Sequence, residues 1–271
     1  MNFNLKFNYN TKPINTGLPT YAESPTTNSD LPINTGIYKI PKMVHQTFIT
    51  RFLPLDIINI VNHNKRVCPD CEFKFYDDND CENFIKNNCE EEIYLAYKSI
   101  NDVYGAMKAD FFRYCVLYII GGIYIDIKSR INYPLFKLIH PDDTCLLDIP
   151  RNNLEPWRRH SPTYEQWILM FAPNHPYLLS MIELMVGYIK KKHEPKIKHY
   201  NFLTTKQKIL HVTGPDAFTK AVNYTIKKNK KILHRTINYD KYFLIKSTNY
   251  IKMYQINNKK HYSEYREPLY K

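Results

Sequence analysis

The pattern of apolar and polar positions changes at Ile40-Pro41. Residues 1–36 are rich in Asn, Thr and Pro with little hydrophobic periodicity, the signature of a polar arm. Beyond it, residues 42–48 read as a first strand and 55–66 as a helix; residues 72–76 alternate as a second strand, and Asp77-Asp78-Asn79-Asp80 opens the next helix. This βαβα order predicts an α/β fold with a sheet of largely parallel strands covered by helices.

Residues 102–130 are the most informative. Val103, Met107, Phe111, Tyr114 and Tyr118 form one helical stripe, Ala106, Asp110, Arg113 and Leu117 a neighbouring one, and Phe112, Val116 and Ile119 cover the opposite side. A helix apolar nearly all round is a buried one. Gly121-Gly122 supplies its left-handed stop, and Ile123, Ile125 and Ile127 then alternate with Tyr124, Asp126 and Lys128 as a strand. In the second half, strands are expected at 145–149, 167–171, 231–237 and 242–246, and helices at 175–192 and 215–228. The domain is expected to run over 37–250, followed by a polar tail at 251–271.

The 271 residues carry 38 Lys+Arg against 26 Asp+Glu, a net charge of +12, with 44% hydrophobic and 24% charged residues. These fractions suit a globular protein and exclude collagen-like, heptad-repeat and wholly disordered chains. The most apolar stretch, 114–125, is interrupted by the glycine pair and falls short of the roughly 18 residues a membrane span needs. The beginning, MNFNLKFNYNTKP, lacks the apolar core of a secretory signal. A cytoplasmic location is therefore expected, or a Golgi-like one if a leader has been removed. Cys68-Pro69-Asp70-Cys71 is followed by Cys81 and Cys89, too loose a second pair for structural zinc, so free thiols in a reducing compartment are expected. The basic excess lies late, at 190–192 and 227–231, and reads as a solvated face or an attractor of anions. Nucleic-acid binding is the rival from another class, but no recognisable nucleic-acid module accompanies the charge, and none is expected as a partner.

Four constellations can carry chemistry. Asp110 and Arg113 share a helix face, as a buried ion pair or as a polar clamp on a ligand. Asp126 and Lys128 lie near the C-terminal end of a strand, where α/β sheets collect ligands; the carboxylate suits a divalent cation and the ammonium a diphosphate. His175 and His211 are candidates for metal ligation or phosphate donation, each weighed against a packed turn residue. Trp157 and Trp167, with Arg158, Arg159 and Tyr164, suit a sugar-stacking wall or ordinary packing. Asp148, at a strand end, suits the acceptor side or a cap.

Taken together, Ile40–Phe48 (IPKMVHQTF), Lys108–Tyr118 (KADFFRYCVLY) and Gly121–Asp126 (GGIYID) resemble glycosyltransferase family 32, the group with a sugar-binding region containing a DXD motif. Cys68–Asp78, Ala172-Pro173-Asn174-His175-Pro176 and Thr213-Gly214-Pro215 match further family blocks in order, so the resemblance runs from about 38 to 225. The central block is also similar to that of the large clostridial toxin glucosyltransferases. The resemblance implies a GT-A (Rossmann-like) fold, one nucleotide-binding domain with acceptor-side insertions. It implies transfer of a hexose from a UDP- or GDP-linked sugar to a glycan or protein acceptor, with retention, assisted by manganese or another divalent cation. Carried onto this chain, Asp110 and Arg113 contact the donor sugar; Tyr124, His175 and Trp157 join them as substrate-binding candidates on the residues' own chemistry. The strand at Val44, His45 and Gln46 lies under the nucleotide, and Asp126 is the first aspartate of the DXD.

The chain departs from the family at Lys128, where the pattern has the metal-binding aspartate. Another group, such as His211, can complete a metal site with Asp126, or Lys128 can stand in for the cation's charge, or turnover is lost. The expectation is an active transferase with Lys128 in place of the second aspartate. The alternative is a nucleotide-sugar-binding module without turnover.

Overall fold

A computed structural model of the chain describes residues 38–150, 162–193, 195, 203–232, 234–245 and 260–271. The expected opening is present as β1 (Met43–Thr47), α1 (Leu55–Val67), β2 (Glu72–Tyr76) and α2 (Asp78–Asn88). In α1, Ile57, Ile60, Val61 and Asn64 turn inward at helical spacing. The N-terminus of α2 is closed by a reciprocal capping box between Asp77 and Asp80, the local chemistry that the acidic cluster foretold. A short helix unmarked in the sequence pattern, α3 (Glu91–Ser99), leads to α4 (Gly105–Ile119), of which eleven residues are buried.

The chain then reverses through Gly121 and Gly122 into β3 (Gly122–Ile125). Gly122 sits at φ +98°, and a Cβ there would lie 2.5 Å from the Met43 carbonyl, so this turn needs glycine. The strand is shorter than expected. It stops at Ile125, and Asp126, Ile127 and Lys128 form a turn closed by a Ser129 N–H to Asp126 carbonyl bond of 2.8 Å before β4 (Ser129–Ile131) begins. Lys128 therefore belongs to a turn rather than to the strand face shared with Tyr124.

There follow α5 (Leu135–Leu138), β5 (Cys145–Asp148), β6 (Ile168–Phe171), α6 (Pro176–Lys190), α7 (Thr205–Val212), α8 (Pro215–Lys228), β7 (Arg235–Ile237), α9 (Tyr239–Tyr242) and β8 (Phe243–Ile245). The main sheet has the order β2-β1-β3-β6-β5-β7; β4 and β8 form a separate antiparallel pair. Five of the six strands share one direction, and β6 runs against both of its neighbours. The expectation of a largely parallel sheet thus holds except at β6, whose direction no periodicity encodes.

Period-two alternation divides the sheet's side chains between two cores. Tyr124, Leu147, Leu169 and Phe171 enter the larger, with α2, α3, α4, α6 and α8; Ile123, Ile125, Leu146 and Met170 enter the other, with α5 and α9. Buried Asn64 joins α1 to β4, donating to the Ser129 carbonyl and accepting from the Ile131 N–H, each at 2.8 Å. Among the described residues no helix is long and apolar enough to cross a membrane. All six cysteines carry free thiols.

Residues 260–271, read as a polar tail, are in fact strapped across α3, α4 and α7. The Leu269 carbonyl accepts from Asn101 N–H at 2.9 Å, Lys271 N–H donates to Ser99 O at 2.8 Å, and Tyr104 OH donates to Glu267 O. Leu269 and Tyr270 are buried in the main core. Residues 1–37 and 246–259 lie outside the described residues.

Candidate active site

The C-terminal ends of β1 and β3 and the N-terminal end of β6 meet at one edge of the sheet. They open onto a cavity of about 400 Å³ whose wall includes Thr47, Asp110, Arg113, Tyr124, Asp126 and Trp167. At this edge Thr47 Oγ1 and Tyr124 OH share a 2.8 Å hydrogen bond, and Asp126 N–H donates to Trp167 O at 2.8 Å. Position and chemistry are those expected where strand ends collect ligands.

Arg113 organises the floor. Its Nη1 donates to the Gln166 carbonyl at 2.8 Å; its Nη2 lies 3.0 Å from Asp110 Oδ1 and 3.3 Å from Asp126 Oδ1; its guanidinium lies over the Tyr124 ring, 4.5 Å from the centroid. With only 5% of its surface exposed, such a cation is tolerable because two carboxylates, a carbonyl and a π face replace its water. Asp110 is held in turn by Thr213 Oγ1 at 2.9 Å and Gln166 Nε2 at 3.0 Å, and Tyr114 OH donates to Gln166 Oε1. Burial raises the Asp110 carboxyl to a pKa of about 6 against the opposing pull of Arg113 and Thr213. The same environment keeps Arg113 firmly protonated. The Asp110–Arg113 pair is thus a buried ion pair that also borders the cavity.

Thr213, Gln166 and Tyr114 were not singled out as site residues. The Thr213-Gly214-Pro215 block was visible in the sequence. Its physical content is a turn so tight that a Cβ on Gly214 would lie 2.5 Å from Leu210 Cα, and this turn presents the Thr213 hydroxyl to Asp110.

The other candidates are distributed differently. Lys128 lines the cavity with Asp126. His45 does not; it is fully buried, its Nε2–H donating to the Gly121 carbonyl at 3.0 Å and its Nδ1 accepting from Tyr76 OH at 3.1 Å. Because the carbonyl can only accept, the proton is on Nε2, and burial drives the ring's pKa down to about 4. His45 thus braces the α4–β3 turn from beneath. Gln46 is buried on the opposite face of β1, away from the cavity wall, with Nε2 unpartnered among the described residues. His175 caps α6, accepting from Tyr177 N–H, and packs against Phe171 and Tyr177; burial lowers its pKa to about 4. His211 pairs with Asp216 at 3.0 Å and bonds the Gln207 carbonyl, and it is not among the cavity-lining residues. Asp148 accepts from Tyr239 N–H at 2.9 Å, the capping role. Trp167 joins the cavity wall and packs edge-on against Tyr239, whereas Trp157, Arg158 and Arg159 lie outside the described residues. Tyr164 packs edge-on to His234 rather than on the cavity.

The donor set around Asp126 does not fit a divalent cation. Asp126 Oδ1 is engaged by Arg113, the third position of the motif is an ammonium, and His211 is committed elsewhere. No group of three or more His, Cys, Asp or Glu side chains converges for a metal among the described residues.

The fold is that of the GT-A glycosyltransferases. The solved structure of the PaToxG glycosyltransferase superposes with a TM-score of 0.51 over 71% of this chain and 72% of that one, at 16% identity. Residues 54–146, which carry α4 and the Asp126 turn, match the family described as glycosyltransferase sugar-binding region containing DXD motif. It is 28% identical over 178 residues to inositol phosphoceramide mannosyltransferase 3 of Schizosaccharomyces pombe, covering 65% of this chain and 43% of the relative. It is 29% identical over 125 residues to the initiation-specific alpha-1,6-mannosyltransferase of the same organism, covering 43% and 31%. The chain thus spans less than half the length of these curated relatives.

Proposed function

We propose that the protein transfers a hexose, with mannose the first candidate, from a nucleotide diphosphate sugar to a hydroxyl of a glycan, protein or glycolipid acceptor. The observation that carries this reading is the convergence of Asp110, Arg113, Tyr124 and Asp126 on one cavity at the strand ends. The family match supports the same reaction class, and the names of the relatives support mannose.

Asp126 and the rim of Arg113 orient the donor sugar through its hydroxyls, while Asp110 fixes the guanidinium's geometry. Thr47 and the chain following β1 lie under the nucleotide. In a retaining, front-face transfer the bond between the anomeric carbon and the β-phosphate oxygen breaks with its electron pair going to phosphate. The acceptor oxygen bonds to the same face, and its proton passes to the departing phosphate, so no separate carboxylate base is needed. Charge on that phosphate is the step's main electrostatic demand. In the family a divalent cation meets it; here Lys128 occupies the corresponding motif position.

A second reading, a nucleotide-sugar-binding module without turnover, is favoured by that same replacement. The two separate in one assay: a panel of UDP- and GDP-sugars, GDP-mannose included, with manganese or with EDTA, reading released nucleotide. Release from one donor is the expected result. Donor binding with no release under either condition, acceptors supplied, would leave only the binding module.

A further inference from the structure

We propose that a groove beside α9, lined by Tyr133, Lys137, His140, Arg235, Lys241 and Tyr242, binds a polyhydroxylated ring that carries a phosphate ester, as in a sugar phosphate. The groove shares no lining residue with the cavity at the strand ends, and its occupancy does not depend on the nucleotide-sugar reading above.

The groove has a volume of about 440 Å³ and lies where the loop after β4, α5, the start of β7 and α9 meet. Backbone pairing holds its aromatic corner. β4 and β8 run antiparallel with Ile131 opposite Phe243, and the Asn132 N–H donates to the Tyr242 carbonyl at 2.9 Å. The Tyr133 and Tyr242 rings lie 5.6 Å apart and are inclined by 59°, and Tyr133 is 40% exposed. Such rings can cover the apolar C–H face of a sugar while its hydroxyls stay in water. Tyr239 of α9 and Phe243 pack against Trp167 on the wall of the other cavity, so one short segment stands between the two sites.

The rest of the wall is polar and of one sign. Arg235 is locked along one edge: Nε lies 3.1 Å from Asp143 Oδ1, while Nη2 lies 2.5 Å from Asp143 Oδ2 and 2.7 Å from the Leu138 carbonyl. Asp143 also accepts from the His140 N–H at 2.7 Å, so this carboxylate holds Arg235 and the chain after α5 together. The Nη1 group has no acceptor among the described residues. A guanidinium fixed along one edge is preorganised to offer the other to a phosphate oxygen. Lys137 on α5 and Lys241 on α9 add two exposed ammonium groups from two separate elements. Lys241 Nζ lies 5.5 Å from the Tyr242 ring centroid, which sets a cation directly beside the aromatic corner. Among the described residues no carboxylate lines the groove, so an entering anion meets no like charge at the wall. A neutral sugar would use the tyrosines alone and inorganic phosphate the cations alone. A ring bearing a phosphate ester uses both.

The test is calorimetric titration of the full chain at low salt with mannose 6-phosphate, mannose and inorganic phosphate. Wild type is expected to bind mannose 6-phosphate about tenfold more tightly than either of the other two. Lys137→Ala and Lys241→Ala should each weaken that binding about fivefold. Tyr133→Ala should weaken it similarly while leaving the affinity for inorganic phosphate unchanged. Lys227→Ala and Lys230→Ala, on the exposed end of α8 and the turn after it, should change nothing. Thermal melts verify that each variant is folded. Flotation with phosphatidylcholine vesicles, with and without phosphatidylinositol, separates the two sources of such a group. Flotation that needs phosphatidylinositol and is lost in Lys137→Ala and Lys241→Ala places the phosphorylated ring on a lipid; binding of the soluble probe without flotation places it on a soluble sugar or glycan. Equal mannose 6-phosphate affinity in wild type and the three groove variants overturns the proposal. So does inorganic phosphate binding as tightly as mannose 6-phosphate, or wild type binding neither the soluble probe nor the vesicles. None of these outcomes alters the donor assay above.

Discussion

Arg113 on α4 and Asp126 in the turn after β3 are joined at 3.3 Å, so the buried helix and the strand end that it feeds are tied by charge at the cavity wall. The guanidinium serves four neighbours at once: Asp110, Asp126, the Gln166 carbonyl and the Tyr124 ring. An ammonium has neither the fork nor the flat face this requires. Arg113→Lys should therefore abolish nucleotide-sugar binding while the chain still folds, and Arg113→Ala should cost about 3–5 kcal/mol of stability by stranding two carboxylates. Urea unfolding alongside donor titration checks both; a wild-type donor affinity in Arg113→Lys would contradict the arrangement.

Asp110 carries the acid limb. Its carboxyl is raised to about 6 by burial, so acidification below neutrality protonates it and removes the acceptor that Thr213 and Arg113 share. Donor affinity should fall as pH drops through about 6. Asp110→Asn should bind weakly at every pH and lose that inflection, which a pH series of titrations reads directly.

Fold stability has its own pH dependence. His45 and His175 titrate near 4 in the folded chain against an ordinary 6.5, so the unfolded chain binds more protons between those values. Stability present above pH 6.5 is lost as pH falls toward 4, by about 2 kcal/mol per histidine at pH 5. Asp110 acts in the opposite sense: its raised pKa means that protonation between 6 and 4 favours the folded chain, offsetting about 1–1.5 kcal/mol. The net expectation is a lower melting temperature at pH 5 than at pH 7, with a shallower dependence in His45→Gln.

The α4–β3 reversal should tolerate no side chain. Gly122→Ala places a Cβ 2.5 Å from a backbone carbonyl at φ +98°, and both the clash and the backbone strain are local to the turn that positions Asp126. A loss of about 2 kcal/mol or more is expected in denaturant unfolding. An unchanged midpoint would mean that the turn adopts another course.

Much of this was legible in the chain because the determining signals are local. The Asp77–Asp80 capping box, the all-round apolar α4 and the glycine pair each fix their element by nearby chemistry. Asp110, Arg113 and Asp126 were each legible as charges beside an apolar helix or at a strand end, but what joined them as one group was the resemblance of the 108–118 and 121–126 blocks to glycosyltransferase family 32. The direction of β6 was not legible, since alternation is the same for a strand running either way. Nor were α7 and the strap. The strap is held chiefly by backbone bonds and by Leu269 and Tyr270, too few apolar positions to show a period. His45 looked like a ligand-facing group because burial, which decides its role, is a property of the packed sheet.

The reversed direction of β6 also has a consequence for how such a site can diversify. Because β6 runs against β3, its beginning rather than its end arrives beside Asp126, with Gln166 and Trp167 leading into it. One side of the cavity is formed by chain leaving β1 and β3, whereas this wall is formed by chain still approaching its strand. The stretch between β5 and β6 can lengthen, shorten or change composition upstream of those contacts while the register of Ile125 with Ile168 stays fixed. One sheet can thereby present a half-site fixed by its register beside one open to change, and the chemistry of that second wall can vary without repacking the core.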